Sequence, residues 1–296
     1  MTERRTVDGL LLIDKPKGMS SNQCLQAIKY RLRARKAGHT GSLDPLATGM
    51  LPLCFGEATK FAQRLLTASK TYEVIMRLGW ISTTLDAEGT LTHVGATPLL
   101  STEAIENVLT GFRGTQQQIP PMYSALKHQG RPLYELAREG VQIDRAARAI
   151  EIHDLRCIDH VEDTLTLSVS CSKGTYIRSL VDDLGRALGC GAYVLELRRT
   201  HVSGWSTMHT FESVVRAVEG GDWESLLLPV HALLDDCEKL VICPQKAYNL
   251  RLGQVVSGLQ EGEAGMRAVF CEHQFLGLAE LDQMGALKPV RLLSTR

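Results

Sequence analysis

The apolar positions of this chain change period along its length, and the period identifies the elements. Residues 10–13 form a short continuous apolar run, the mark of a buried strand. After the turn D-K-P-K-G-M-S-S, Leu25, Ile28 and Leu32 recur at helical spacing, which predicts a helix capped by Ser20 or Ser21. Residues 71–80 alternate instead. Tyr72, Val74, Met76, Leu78 and Trp80 take one side and Glu73, Ile75 and Arg77 the other, as in a half-buried strand. Leu165, Leu167, Val169 and Cys171 repeat that alternation against threonines and serines. The segment K-G-T-Y-I-R-S-L then opens a helix whose Ile177, Leu180, Val181, Leu184 and Leu188 make one stripe, stopped at Gly189. A strand thus delivers Tyr176 and Arg178 to a helix start.

Between these segments, residues 101–150 hold a helix capped by Ser101, the loop Q-Q-Q-I-P-P-M-Y-S and a second helix beginning near Pro132; they read as an insertion or lid. Beyond Leu234 the rhythm shortens to strand-like runs at 240–243, 266–271 and 275–281, separated by glycine-containing turns. The predicted organisation is a large domain of mixed strands and helices over 1–237 and a small β domain over 238–296.

Composition narrows the function. With 44% apolar and 22% charged residues in 296, the chain can bury a core and is neither disordered nor fibrous. Lysine plus arginine number 33 and aspartate plus glutamate 33, so the net charge is zero and any nucleic-acid site must be local. That gives weight to Lys29, Arg31, Arg33, Arg35 and Lys36, which are either a solvated helix face or a phosphate-contacting patch. The eight cysteines never reach C-x-x-C spacing, which fits reduced thiols and no metal site. The N-terminal apolar run is too short for a signal-peptide core or a membrane span, so a cytoplasmic monomer away from membranes is expected.

The segment G-H-T-G-S-L-D-P-L-A-T-G-M-L at 38–51 is the most unusual. Pro45 biases Asp44 toward an extended backbone, while Gly38, Gly41 and Gly49 permit shapes or close approaches that larger residues resist. On composition alone, this loop either presents one carboxylate at a fixed angle or simply reverses the chain.

The loop resembles the catalytic signature of the TruB-type tRNA pseudouridine-55 synthases. D-K-P-K-G-M-S-S at 14–21, K-T-Y-E at 70–73, I-P-P-M-Y-S-A-L-K at 119–127, G-T-Y-I-R-S-L at 174–180 and L-R-R-T at 197–200 follow in that family's order. The resemblance covers about residues 8–235 and continues more loosely into the tail. It implies an α+β pseudouridine-synthase fold with a mixed, largely antiparallel central sheet, plus a small C-terminal PUA-like β domain that binds RNA. It also implies isomerisation of uridine-55 in the T loop of tRNA, by base flipping and an aspartate-dependent glycosidic rearrangement, without cofactor or metal.

By that resemblance Asp44 is the catalytic carboxylate, and Arg178 the cation that keeps it charged, the alternative being a surface arginine. Tyr72 stacks on the target base, or is a strand residue of the core; both roles are compatible. His39 lies against the disrupted T-loop stack, where a lone histidine is otherwise a structural residue. Tyr176 and Leu197 confine the detached uracil, or belong to the core. Asp86 is a candidate brace for Arg178, and the basic helix, Arg198, Arg199 and 101–150 are expected to grip the RNA backbone. Two rivals stand beside this reading: an RNA-binding or tRNA-folding factor of the same fold, and a glycoside hydrolase, which ordinarily needs two placed carboxylates.

Overall fold

The computed structural model describes residues 4–259 and 263–294. The first half of the chain runs β1 (Gly9–Lys15), α1 (Ser21–Arg31), β2 (Ala37–His39), β3 (Thr48–Phe55), α2 (Ala62–Thr67), β4 (Lys70–Leu78), β5 (Trp80–Ser82) and β6 (Leu91–His93). It continues through α3 (Thr102–Gly111), β7 (Gly114–Gln118), β8 (Lys127–His128), β9 (Arg131–Pro132), α4 (Leu133–Arg138), β10 (Arg148–Val161), β11 (Thr164–Cys171) and α5 (Ile177–Ala187). The last part holds β12 (Ala192–Val202), β13 (His209–Thr210), α6 (Phe211–Gly220), β14 (Glu238–Val241), α7 (Pro244–Arg251), β15 (Gly265–Cys271), β16 (Gln274–Leu281) and β17 (Leu287–Leu292).

Nine strands form one sheet in the order β13-β1-β3-β12-β4-β11-β10-β7, with β2 paired to β3. Only β1–β13 and β3–β12 are parallel, so the sheet is mixed and largely antiparallel, as expected for the resemblance. A second sheet, β14-β15-β16-β17, occupies the C-terminal part.

The unbroken apolar run of β1 follows from burial on both faces. Leu11 and Ile13 pack into the core beneath α1 and α5, while Leu10 and Leu12 join Phe61, Leu65, Leu233 and Leu234 on the other side. Ala268 and Leu278 of the C-terminal sheet enter that second core, with Phe275 packed beside Phe61 at 6.1 Å between ring centroids. The C-terminal sheet is therefore seated on the main one through apolar contact. In β4, by contrast, Val74, Met76 and Leu78 are fully buried while Glu73 is exposed, which is why that strand alternates.

Three local expectations change. Gly79, at φ +80°, turns the chain out of β4, so Trp80 begins β5 rather than ending the predicted strand. Part of 101–150 belongs to the main sheet, since β7 pairs with β10 along Gly114–Gln118. The tail carries a helix, α7, with proline in its first turn, in the stretch between the first two strand-like runs where only a glycine-containing turn was expected. Among the described residues no helix is long and apolar enough to cross a membrane.

Candidate active site

The two serines that end the first turn divide the work of placing the loop. Ser20 caps α1, its hydroxyl accepting from the Gln23 amide while the Gln23 side chain accepts from the Ser20 amide. Ser21 turns inward, donating to the Leu43 carbonyl at 3.1 Å and accepting from the Leu43 amide at 2.7 Å. With the Gly18 amide on the Pro45 carbonyl and the Ala47 amide on the Asp44 carbonyl, this fixes residues 43–47 from both sides. Gly49 is required sterically: its φ is +99°, and a Cβ there would meet the Arg199 carbonyl at 2.2 Å. Gly38 shows no such constraint.

Asp14 and Lys15 hold the same junction. The Asp14 carboxylate accepts from the Gly49 amide at 3.1 Å and from both terminal nitrogens of Arg198, at 3.0 and 2.6 Å. Lys15 is fully buried, donates to the Pro16 and Met19 carbonyls, and is pulled down to about 8 by burial.

Asp44, Tyr72, Tyr176, Arg178 and Leu197 line one cleft of about 320 Å³. The Arg178 Nε donates to Asp44 at 2.9 Å, and its other nitrogens donate to the Thr84 and Tyr123 carbonyls at 3.1 and 2.6 Å. Asp86 stands 3.5 Å from the same guanidinium and is tied down by the Thr84 hydroxyl and the Glu88 amide. Arg178 is thus a buried hub rather than a surface arginine. Asp86 is occupied on the far side of Arg178, so it is not the second free carboxylate that glycoside hydrolysis requires.

Dense walls surround Asp44, although 42% of its side chain faces the open cleft. Burial raises its pKa above the ordinary carboxylate value; Arg178 and Lys15 oppose that shift, and Asp86 adds to it. The arginine therefore offsets a desolvation cost that would otherwise favour the neutral acid.

The remaining residues are placed by sheet register. Tyr72 on β4 lies opposite Arg199 on β12, and Val74 lies opposite Leu197. Burial pushes the Tyr72 hydroxyl up, while the neighbouring Arg199 guanidinium pulls it down. Tyr176 sits immediately before α5, its backbone amide and carbonyl both held by the side chain of Gln118, at 2.8 and 3.1 Å. Gln118 is 4% exposed, and nothing in the run Q-Q-Q distinguishes it from its neighbours in sequence. Lys70 also reaches the cleft, where it caps α2 through the Leu65, Leu66 and Ala68 carbonyls and burial lowers it to about 8.

His39 is not part of the cleft lining; it ends β2, two residues before Gly41. Burial and the Arg199 charge lower its pKa, and its Nδ1 is buried without a partner among the described residues. The expectation for the L-R-R-T arginines changes as well. Arg198 is committed to Asp14, and Arg199 is 1% exposed beneath the cleft, so neither is a free backbone grip. No group of side chains suited to a metal ion occurs among the described residues.

The fold defines the class first: this is a pseudouridine-synthase fold. The structure of an H/ACA RNP bound to a substrate RNA containing 2′-deoxyuridine matches it with a TM-score of 0.71 and 23% identity, over 97% of this chain and 86% of that one. A Cbf5-Nop10-Gar1 complex matches at 0.70 and 25% identity, over 97% and 84%. Family models agree along the length: TruB family pseudouridylate synthase (N terminal domain) at 29–177, tRNA pseudouridylate synthase B C-terminal domain at 178–239, and Pseudouridine synthase II TruB, C-terminal at 239–293. The chain is 47% identical to tRNA pseudouridine synthase B of Azoarcus sp. strain BH72, across 99% of itself and 97% of that protein. It is 46% identical to tRNA pseudouridine synthase B of Chromohalobacter salexigens, across 98% and 95%. The chain belongs to the TruB family of pseudouridine synthases.

Proposed function

We propose that this enzyme isomerises uridine-55 in the T loop of tRNA to pseudouridine, with Asp44 as the catalytic carboxylate. The observation that carries the reading is the 2.9 Å pair of Asp44 and Arg178 in a cleft that also presents Tyr72, Tyr176 and Leu197. The reaction breaks the N1 glycosidic bond, turns the uracil while it stays bound, and rejoins the ring through C5, the C5 proton being lost and N1 taking one up. No oxidant, water or group donor enters the balance, so one ionised carboxylate and a cleft that retains the detached base meet its demands.

Arg178 keeps Asp44 charged and aimed, and Asp86 with the Thr84 and Tyr123 carbonyls keeps Arg178 in place. Tyr72 stacks on the flipped base, an interaction of about 1–3 kcal/mol per base. Tyr176 and Leu197 hold the detached ring. His39, kept neutral by burial, occupies the space the base vacates in the T loop, at a flipping cost of a few kcal/mol. The exposed cations at the end of α1 meet RNA phosphates.

Residues 1–237 act as the catalytic unit and 238–296 as a PUA-like RNA-binding unit, of which 1–3, 260–262 and 295–296 lie outside the described residues. Purified protein and unmodified tRNA, incubated without added metal, should give one pseudouridine at position 55 by base-specific detection. Free uracil among the products would favour a hydrolase. Bound tRNA without modification would favour a folding factor.

A further inference from the structure

Arg199 is the largest side chain buried to below 2% exposure, and no carboxylate among the described residues pairs with it. A buried guanidinium without an anionic partner is costly, so its surroundings should show what keeps it there. Its Nε donates to the Met50 carbonyl on β3 at 2.7 Å, and a terminal nitrogen donates to the Gly41 carbonyl at 3.0 Å. Its third neighbour is Tyr72, directly across the β4–β12 register, where the guanidinium charge opposes the burial that pushes the hydroxyl up. On the other side, Arg199 pairs with Gly49 of β3, whose missing side chain lets the two backbones close up.

One planar group therefore ties three separate pieces of chain: the strand that follows the catalytic loop, the loop itself three residues before Asp44, and the aromatic ring beside it. The fork geometry of a guanidinium suits this, because its donors diverge in one plane and cannot adjust independently. Lysine lacks the planar fork that serves the two carbonyls together.

We infer that Arg199 is a positioning residue that sets Tyr72 and the Gly41–Asp44 loop in one rigid frame for the isomerisation. This rests on the proposed placement of Tyr72 against the target base. It makes the second arginine of L-R-R-T part of the reaction geometry, whereas the first is bound to Asp14.

The test is a cycle of Arg199→Gln, Tyr72→Phe and the double variant in the full chain, assayed on tRNA under saturating and subsaturating conditions. Arg199→Gln should lower kcat at least tenfold with KM within about threefold, and should shift the alkaline limb of the kcat profile. In the Tyr72→Phe background the same change should cost at least threefold less than in the wild type, because only the hold on Met50 and the Gly41–Asp44 loop remains to be lost. Equal fold losses in both backgrounds, with an unmoved pH profile, would overturn the inference. If Arg199→Gln does not fold, Tyr72→Phe alone still decides. Losing the oxygen should shift or remove the alkaline limb of the kcat profile, and an unmoved limb overturns the inference. A wild-type enzyme that makes no pseudouridine would instead defeat the functional reading, which the cycle does not address.

Discussion

Two sets of cations divide this molecule, and they are bound in opposite ways. At the cleft, Lys15, Lys70, Arg178 and Arg199 are all buried, and each has its hydrogens assigned to named carbonyls or carboxylates. Around the end of α1, Lys29, Arg31, Arg33 and Lys36 stand at or near the surface, and none joins an ion pair among the described residues. Tyr30, 84% exposed, stands among them. Two unit charges 4 Å apart interact by about 4 kcal/mol at an effective dielectric of 20, against about 1 kcal/mol in bulk water. The inner set can therefore set the protonation state and direction of a reacting group. The outer set can only attract, and salt screens it.

The contrast is broken most severely at Asp44. Asp44→Asn keeps the shape and removes the charge, so turnover should fall by about 10³-fold or more while tRNA affinity changes less than about threefold. Thermal stability should hold or rise. The folded-state pKa of Asp44 is raised, so its ionised form is less favourable in the fold than in the unfolded chain at neutral pH, and the amide escapes that cost. A single-turnover assay, a filter-binding titration and a melting curve check the three parts. Full activity in this variant would remove Asp44 from the mechanism.

The charges around Asp44 sharpen the comparison through pH. On the proposed mechanism the reaction needs the carboxylate, so the acid limb of the rate should lie above the ordinary value of 3.8. Arg178 lowers the Asp44 pKa, so Arg178→Gln should move that limb to higher pH and cost about 10²–10³ in kcat. Asp86 raises it, so Asp86→Asn should move the limb the other way, toward lower pH. Its rate loss should be smaller, about tenfold, because Arg178 keeps its bonds to the Thr84 and Tyr123 carbonyls. Limbs that move together in the two variants would show that Asp44 does not govern them.

The two regions were also unequally legible in the sequence. The loop around Asp44 announces itself, because three glycines and a proline about one carboxylate are locally coded, and the basic run 29–36 is visible by inspection. The role of Arg199 is not. Its neighbours Met50, Gly41 and Tyr72 lie 149, 158 and about 130 residues away, and only the β4–β12 register and the β3–β12 contact bring them together. A one-residue slip would have turned Arg199 outward and Arg198 inward, and sequence periodicity does not decide between the two. Gln118 illustrates the same limit, since its hold on Tyr176 depends on β7 joining the sheet edge. Strand β1 was readable because burial on both faces leaves an unbroken apolar run, whereas α7 was missed because its eight residues have little apolar periodicity to show.

The smallest effect is expected on the outer set, and its form matters more than its size. If Arg33 meets a phosphate, Arg33→Gln should flatten the dependence of log affinity on log salt by about 1, with kcat at saturating tRNA unchanged. Replacing Lys29, Arg31 and Lys36 as well should flatten it by about 3 to 4 in total, provided each contacts the RNA. The β2 strand sets the distance: Lys36 is three residues from His39, about 10 Å of extended chain. If His39 meets the T-loop stack as proposed, these cations stand one short strand away from it, and none of them lines the cleft that holds Asp44. An unchanged salt slope in the fourfold variant would return these residues to an ordinary solvated face. A loss of kcat would mean that the two sets of cations are not separate.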